Sequence, residues 1–338
     1  MSVITFIASG TRGDVQPAVA VGKALRQHGH TVRVLAGANF ADWIQQHGLI
    51  PLPTQIDMQA MMASEGGRDW VEKGHNPVLQ LRIMGRLLAK HGMQIASDAW
   101  DACQGSDLIV SSFTSDVYAV GMAQKLGVPH VSAPLQPTLF TTRDGRTLLN
   151  APLPNRSSWI NYWFGKFFIE TAAWSLYRDI ANRVRKEMLG MPAQTRAENR
   201  EDRRKMTIIH GYSPSVVPHP ADWPDNFHTA GYWLLDENEQ WQPPGELLDF
   251  LAAGLRAGVP SILVPHFADQ PFWGQRVAAL GVGSKAIMRH KLTAHKLAAA
   301  IDAGVSNQTM RQKATQLGQK IRAEDGIARA VTLIEEEL

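Results

Sequence analysis

The chain has 338 residues, 44% of them hydrophobic and 19% charged, with a formal net charge of +3. These values are typical of a globular protein long enough for two packed domains, and they exclude a disordered or fibrous chain. The single cysteine, Cys103, excludes an internal disulfide and favours the cytosol. No apolar segment reaches the length of a membrane span, and the first apolar residues lack the basic flank of a signal peptide.

The first half of the chain alternates strand and helix signals. Strands are predicted at Val3–Ala8, Thr31–Leu35, Asp107–Ser111, Val128–Ser132 and Thr207–His210. Helices are predicted at Pro17–His28, across Pro77–Gln104, and from the end of the third strand to Leu126. This order predicts a parallel sheet with crossover helices, a Rossmann-like winding.

The second half carries fewer strand signals. The proline-rich stretch Tyr212–Trp233 is predicted to be an irregular connector. Strands are expected at Ser261–Val264 and Ser284–Ile287, with a helix at Phe272–Leu280 and three closing helical segments from Thr293 to Glu337. We therefore divide the chain into domains at 1–230 and 231–338, the second being shorter than the ~150 residues of a typical α/β half.

A polar, glycine-containing turn, Gly10 to Pro17, joins the first strand to the first helix. Ligands of parallel sheets bind at the carboxyl ends of the strands, and a helix N-terminus attracts anions. The spacing is not the Gly-x-Gly-x-x-Gly of a dinucleotide site, which disfavours a dehydrogenase. From the residues alone, Asp14 is either the N-cap of the helix or a general base that accepts a hydroxyl proton.

Several ordered stretches of the chain form a recognisable set. The first is Ser9–Pro17, followed by Ala20–Leu25 and Gly29–Val32. The others are Pro218–Pro224, Thr229–Trp233, Gly254–Pro260, Phe267–Gly274 and Arg322–Gly326. Together they resemble bacterial sterol, lipid and antibiotic glycosyltransferases of the GT-B type. The resemblance implies an α/β fold with two Rossmann-like domains facing a cleft, the second of them incomplete.

The resemblance also assigns site residues. Asp14 matches the base that deprotonates the acceptor hydroxyl, and Asp269 with Gln270 matches the pair that holds the donor sugar. A carboxylate beside an amide can grip adjacent sugar hydroxyls, although a polar loop before a helix remains the alternative. We also assign the turn residues Gly10, Thr11, Arg12 and Gly13 to donor binding. No metal and no cofactor are expected, since the histidines show no ligand spacing.

One departure from the family pattern concerns the second half. Family members carry a strand that opens the second sheet, and a later His/Gly-rich turn that holds the donor diphosphate. Neither is found around Phe250–Arg256. We infer that on the order of 100 residues are absent, consistent with the short second half.

The acceptor side is predicted along the loop Pro134–Pro154, because long loops in compact domains tend to be functional. Acceptor-binding residues are expected to be Gln136, Pro137, Thr138, Phe140 and Trp163. The following helix is highly aromatic from Trp159 to Tyr177, and Arg178–Lys205 then carries nine Lys/Arg against five Asp/Glu. Peripheral membrane contact would use such a surface, whereas a core stripe, a dimer arm and a solvated charged face are the alternatives.

The resemblance thus implies an inverting transferase that moves a hexose from a UDP- or TDP-sugar to an apolar small-molecule or lipid acceptor, without a nucleic-acid partner. Two alternatives remain open: an inactive remnant that binds an apolar ligand, and a sugar-nucleotide epimerase on the same scaffold.

Overall fold

The computed structural model describes residues 1–56, 64, 67, 77–137, 141–144, 157–235, 247–266 and 269–338. Its parallel sheet has the strand order β3-β2-β1-β4-β5-β6-β7. The strands are β1 (Val3–Ile7), β2 (Thr31–Gly37), β3 (Ile50–Thr54), β4 (Leu108–Ser111), β5 (His130–Ser132), β6 (Thr207–His210) and β7 (Phe227–Thr229). The predicted parallel α/β winding of the first half is confirmed.

Helices connect the strands and cover both faces of the sheet. In the first half they are α1 (Arg12–Gln27), α2 (Ala41–Gln46), α3 (Pro77–Cys103), α4 (Asp116–Leu126), α5 (Trp159–Phe164), α6 (Glu170–Arg183) and α7 (Arg196–Lys205). A wider π-helical turn, Gly165–Ile169, joins α5 to α6. One buried core lies under α1 and another under α3 and α4.

Two edge regions differ from the prediction. The edge strand β3 went unpredicted because Pro51 and Pro53 interrupt its pattern. Both prolines lie at alternate positions, so their missing N–H groups fall on one side of the strand, where an edge tolerates them. The stretch expected to be an irregular connector contains β7, which pairs with β6 at the opposite edge.

Helix α1 begins at Arg12 rather than at Pro17 as predicted. Because proline is favoured in the first turn of a helix, the sequence pattern placed the start of α1 at Pro17, which is later than the observed start. The earlier start corrects the expectation that Asp14 could be the N-cap, because Thr11 occupies that position and Asp14 lies in the first turn.

The second half contains α8 (Leu247–Ala257), α9 (Gln270–Leu280), α10 (Ala294–Ser306), α11 (Gln308–Ala323) and α12 (Gly326–Glu335). The segments Ser261–Val264 and Ser284–Ile287, predicted as strands, are not regular strands in the described part of the chain. An isolated parallel bridge joins Ser261 to Gly283, the residue before the second segment. Backbone bonds continue this pairing: Ile287 N–H donates to Leu263 O at 3.0 Å. Among the described residues no further strand lies beside them, so they do not extend into a regular ladder.

The last helix returns to the first half of the chain. Ala330, Val331 and Ile334 of α12 are buried in the core beneath α1. Within the described residues, no helix is both long and apolar enough to cross a bilayer.

Candidate functional site

The turn after β1 lies at the carboxyl end of an interior strand of the sheet. Strand β1 is flanked by β2 on one side and β4 on the other, so the chain reverses its direction of strand addition there. Such switch points open a crevice at the carboxyl ends of the strands, where α/β proteins bind ligands. The predicted residues Gly10 to Asp14 occupy this crevice.

Asp14 is held by a reciprocal capping box. Its Oδ2 accepts the backbone N–H of Thr11 at 2.9 Å and lies 3.4 Å from the Thr11 hydroxyl. The positive end of the helix dipole favours the ionised carboxylate in this first turn. Asp14 is half-buried, so the group is fixed in orientation without being sealed from a ligand.

Gly10 makes room for this carboxylate. A Cβ atom placed on Gly10 would stand 2.1 Å from Asp14 Oδ2. Real atoms do not approach so closely, so any side chain at Gly10 must displace the Asp14 carboxylate.

Arg12 points along α1 and toward α2. Its Nε donates to Gln16 Oε1 at 3.0 Å, and its guanidinium lies 5.0 Å from the centre of the Trp43 ring. The arginine is therefore positioned by protein groups at the edge of the crevice. Gly13 is buried in the first turn of α1, and Thr11 is exposed. The assignment of Gly10, Thr11, Arg12 and Gly13 to donor binding stays a prediction.

A buried polar network supports the neighbouring strand ends. Asp116 accepts hydrogen bonds from the hydroxyls of Ser111 and Ser132, the latter at 2.6 Å. His130 Nε2 lies 2.7 Å from Ser111 Oγ, and burial lowers the pKa of His130 despite the nearby Asp116 carboxylate. Because the serine proton goes to Asp116, His130 donates to Ser111, the reverse of a nucleophile and its base. The network fixes β4 and β5 rather than activating a serine.

The predicted acceptor loop is clamped at residues 141–144. Asp222 Oδ2 accepts the backbone N–H of Arg143 at 2.7 Å, and Asp222 Oδ1 accepts the Thr142 hydroxyl at 2.5 Å. Glu170 of α6 accepts the backbone N–H of Thr141 at 3.3 Å and also the Thr141 hydroxyl. Sequence reasoning missed Asp222 and Glu170 as site residues, although Asp222 falls within the Pro218–Pro224 stretch that resembles the family.

Of the predicted acceptor residues, Gln136 is partly exposed and Pro137 is buried after β5. Thr138 and Phe140 lie outside the described residues. Trp163 is 46% exposed and stacks on Phe167 with 5.3 Å between ring centres. The structure brings the Trp163 helix to the loop, since a Cβ on Gly165 would touch Thr141 at 3.4 Å.

Asp269 and Gln270 both have protein partners. Asp269 is the N-cap residue of α9, and its Oδ2 accepts the Trp273 indole N–H at 2.8 Å. Burial raises the pKa of Asp269 more than this bond lowers it. Gln270 Oε1 accepts the backbone N–H of His266 at 2.8 Å. These bonds fit the alternative in which Asp269 and Gln270 have a structural role. They also fix the orientation of both side chains, so that a sugar would meet the polar atoms that these bonds do not use.

An aromatic contact connects the two halves near the sheet edge. Tyr212 follows β6, and its ring lies 6.2 Å from the Trp273 ring in an edge-to-face arrangement. Trp273 also bonds Asp269, so the second-half motif is anchored to the carboxyl end of β6 through one indole ring.

A cavity of about 520 Å³ lies between α3 and α6. Its walls are mainly apolar, with charged groups Arg82, Asp179 and Arg183 among the lining residues. Pockets of this size and character accommodate small apolar ligands.

Two family models match the chain. The glycosyltransferase family 28 N-terminal domain matches residues 4–99, and the erythromycin biosynthesis protein CIII-like C-terminal domain matches residues 249–336. Among curated proteins, the sterol 3-beta-glucosyltransferases of Neurospora crassa and Aspergillus oryzae are 27% and 28% identical over 99% of this chain. The chain spans 27% and 30% of their lengths, less than a third in each case.

The alignment with the Neurospora protein extends over 434 positions, whereas this chain has 338 residues. About 100 positions of that relative therefore have no counterpart here, in agreement with the inferred gap.

Solved glycosyltransferases share the fold. The kitacinnamycin glycosyltransferase matches with a TM-score of 0.70 and 16% identity, covering 100% of this chain and 99% of its own. The calicheamicin glycosyltransferase CalG4 matches with a TM-score of 0.64 and 14% identity, covering 100% and 98%. The predicted fold class is confirmed over the full length of the chain.

Proposed function

We propose that this chain, which belongs to the GT-B glycosyltransferases of the family 28 and EryCIII-like type, transfers a hexose from a UDP- or TDP-sugar to a hydroxyl of an apolar acceptor. The observation that carries the proposal is the Asp14 carboxylate, fixed by Thr11 in the crevice at the sheet switch point. Relatives named as sterol glucosyltransferases support an apolar acceptor, and a spinosyn rhamnosyltransferase solved with thymidine diphosphate supports a nucleotide-linked donor.

In the proposed reaction, Asp14 removes the proton of the acceptor hydroxyl while its oxygen attacks the anomeric carbon of the donor sugar. The bond from that carbon to the nucleotide diphosphate breaks, and the diphosphate leaves with the bonding electron pair. The configuration at the anomeric carbon is inverted. Helix N-termini at the crevice stabilise the departing negative charge.

The acceptor is proposed to enter beside the clamped loop 141–144. Asp222 and Glu170 hold the backbone of this loop from two sides, which limits the freedom lost when a ligand binds. We assign Gln136, Pro137, Thr138, Phe140 and Trp163 to this side of the site, and Asp269 with Gln270 to the donor. The division of the chain near Ala230 into acceptor and donor domains belongs to the same proposal.

We also propose cytosolic location with peripheral membrane contact through an exposed aromatic face on α5 and the following turn. Trp159, Ile160, Trp163 and Phe167 are 62%, 67%, 46% and 56% exposed. Lys166 lies 5.2 Å from the Trp163 ring centre. Aromatic side chains beside cations suit the headgroup region of an anionic bilayer.

Co-sedimentation with phosphatidylglycerol vesicles tests this contact. Replacing Trp159 and Phe167 by Ser should release the protein from the vesicles. Replacing Ile301 of α10, which is 47% exposed, by Ser should not. Undiminished sedimentation of the double variant would contradict the contact.

A second candidate, an apolar-ligand binder without transfer, is favoured by the shortened second half. About 100 positions of the Neurospora relative are missing, and the described residues 247–266 and 269–338 form no regular strand ladder. Calorimetric titration with UDP-glucose and TDP-glucose separates the two. Micromolar affinity for either supports transfer, whereas absence of binding to both supports the binder.

A further inference from the structure

A small cavity of about 70 Å³ lies between α4, α6 and α7. One water molecule needs roughly 15 Å³ of such space, so the cavity has room for a group of several heavy atoms. We call it the arginine pocket; its lining includes Phe113, Asp116, Val120, Glu170, Trp174, Tyr177, Arg196, Arg200 and Arg203.

Three of these residues come from one face of α7. Arg196, Arg200 and Arg203 are spaced by four and three residues, which places their side chains on the same side of a helix. The pocket therefore holds three guanidinium groups against the two carboxylates of Glu170 and Asp116. Its net charge is positive.

Both carboxylates have partners already. Asp116 accepts hydrogen bonds from Ser111 and Ser132. Glu170 accepts hydrogen bonds from the backbone N–H and the hydroxyl of Thr141, and it forms an ion pair of 3.1 Å with Arg200. Glu170 is thus paired with Arg200, and among the described residues neither carboxylate forms an ion pair with Arg203.

Arg203 is the group without such compensation. Its Nε is buried and has no hydrogen-bond partner among the described residues. By contrast, Arg196 donates to the Thr171 hydroxyl at 2.5 Å. A buried guanidinium donor without an acceptor costs free energy that a ligand oxygen would recover.

The remaining walls are aromatic and apolar. Phe113, Trp174 and Val120 supply apolar surface. Burial raises the pKa of Tyr177 to about 12, so its hydroxyl stays protonated and can donate to an anion. A pocket with cations and aromatic rings suits an anionic group attached to an apolar body.

The pocket adjoins the proposed acceptor side, because Glu170 lines it and also holds Thr141 of the clamped loop. We propose that the arginine pocket binds the carboxylate or phosphate group of an otherwise apolar acceptor. This inference rests on the proposed function, because that function places the acceptor beside the pocket. It adds that the acceptor carries an acidic group.

Binding measured without any donor tests the proposal separately from transfer. We expect octanoate to bind at least about tenfold more tightly than octanol in calorimetric titration, because charge-assisted bonds to guanidinium are strong. Arg203→Gln should abolish this preference. Arg204→Gln, which changes the adjacent, exposed arginine of the same helix, should retain it.

A second variant tests the pocket in case Arg203→Gln does not fold. Val120→Phe fills the pocket without removing a charge, and it should weaken octanoate binding about tenfold, with an unchanged circular dichroism spectrum. Equal affinities for octanoate and octanol would overturn the proposal, as would equal effects of the Arg203 and Arg204 substitutions. Inorganic phosphate binding as tightly as octanoate would assign the pocket to a free anion and would overturn the acceptor assignment.

Discussion

Asp14 Oδ2 accepts the backbone N–H of Thr11 at 2.9 Å, so the proposed base also completes the cap of α1. The two roles use different properties of the carboxylate. Capping needs only an acceptor oxygen, whereas base catalysis needs a group that can take up a proton.

Asp14→Asn should therefore separate them. An amide oxygen can still accept the Thr11 N–H, so the free energy of unfolding should change by less than about 1 kcal/mol. Transfer should fall about 100-fold or more, because an amide cannot accept the proton. The measurements are urea unfolding and product formation from UDP- or TDP-glucose and a sterol. Asp42→Asn, in the first turn of α2, is the matched control; near-wild-type transfer by Asp14→Asn would remove Asp14 from the mechanism.

Gly10→Ala should reduce transfer nearly as much, because the new Cβ would displace the Asp14 carboxylate that lies 2.1 Å away. Gly304→Ala in α10 is the control, since its Cβ would meet nothing closer than 3.7 Å. The control should be neutral or stabilising by up to about 1 kcal/mol. Combining Gly10→Ala with Asp14→Asn should cost little more than either alone, since both act on one group. Additive losses in the transfer assay would show that Gly10 acts independently.

Gln270→Asn should change the choice of donor sugar more than the affinity for the acceptor. The Gln270 carbonyl oxygen is engaged by the His266 N–H at 2.8 Å, and the shorter side chain withdraws the amide from the sugar. A sugar hydroxyl left unpaired in a closed site costs about 1–3 kcal/mol. Competition between UDP-glucose and UDP-galactose measures the effect, with the exposed Gln275→Asn as control. A shift confined to acceptor affinity would leave Gln270 a structural role only.

Acid should destabilise the protein through His210. Burial lowers the pKa of His210 to about 3 from 6.5. Between these pH values His210 is protonated in the unfolded chain but neutral in the native protein. Its effect is therefore absent above about pH 6.5, and the free energy of unfolding decreases as the pH falls below that value. At pH 5 the loss is about 2 kcal/mol for this group. Urea unfolding at pH 7.5 and 5.0 should show the loss in wild type and in the exposed variant His295→Gln, and a smaller loss in His210→Gln. An identical loss in all three proteins would refute the assignment.

Ile334→Ala should destabilise the whole first half, because Ile334 of α12 is fully buried in the core under α1. Deleting that much buried side chain costs about 2–5 kcal/mol. Ile301→Ala, at a residue 47% exposed, should cost much less. Urea unfolding followed by tryptophan fluorescence measures both. A loss below about 1 kcal/mol for Ile334→Ala would mean that α12 is not part of this core.

Local patterns in the sequence determined most of the first sheet. Strand β6 was predicted at its observed bounds, Thr207–His210, because the β-branched residues Thr207, Ile208 and Ile209 favour a strand and can be recognised without knowledge of its neighbours. The absence of a segment from the second half was also predicted from the sequence. Motifs that are separated in the family stand next to each other around Phe250–Arg256. The extended segments at Ser261 and Ser284 show the limit of this approach: their residues favour strands, but a ladder requires partners that the sequence near them does not reveal.

Only the tertiary structure decided how side chains distant in sequence meet. Asp222 reaches the acceptor loop across 79 positions to Arg143, and Arg203 of α7 faces Asp116 and Tyr177 across the arginine pocket. Such contacts depend on the packing of whole helices against the sheet, and no periodicity within one segment encodes them. The sequence determined the chemistry available to this protein through residues such as Asp14. The fold decided which of those groups lie together, because hydrogen bonds and charge pairing act over a few ångströms in space, whatever the separation along the chain.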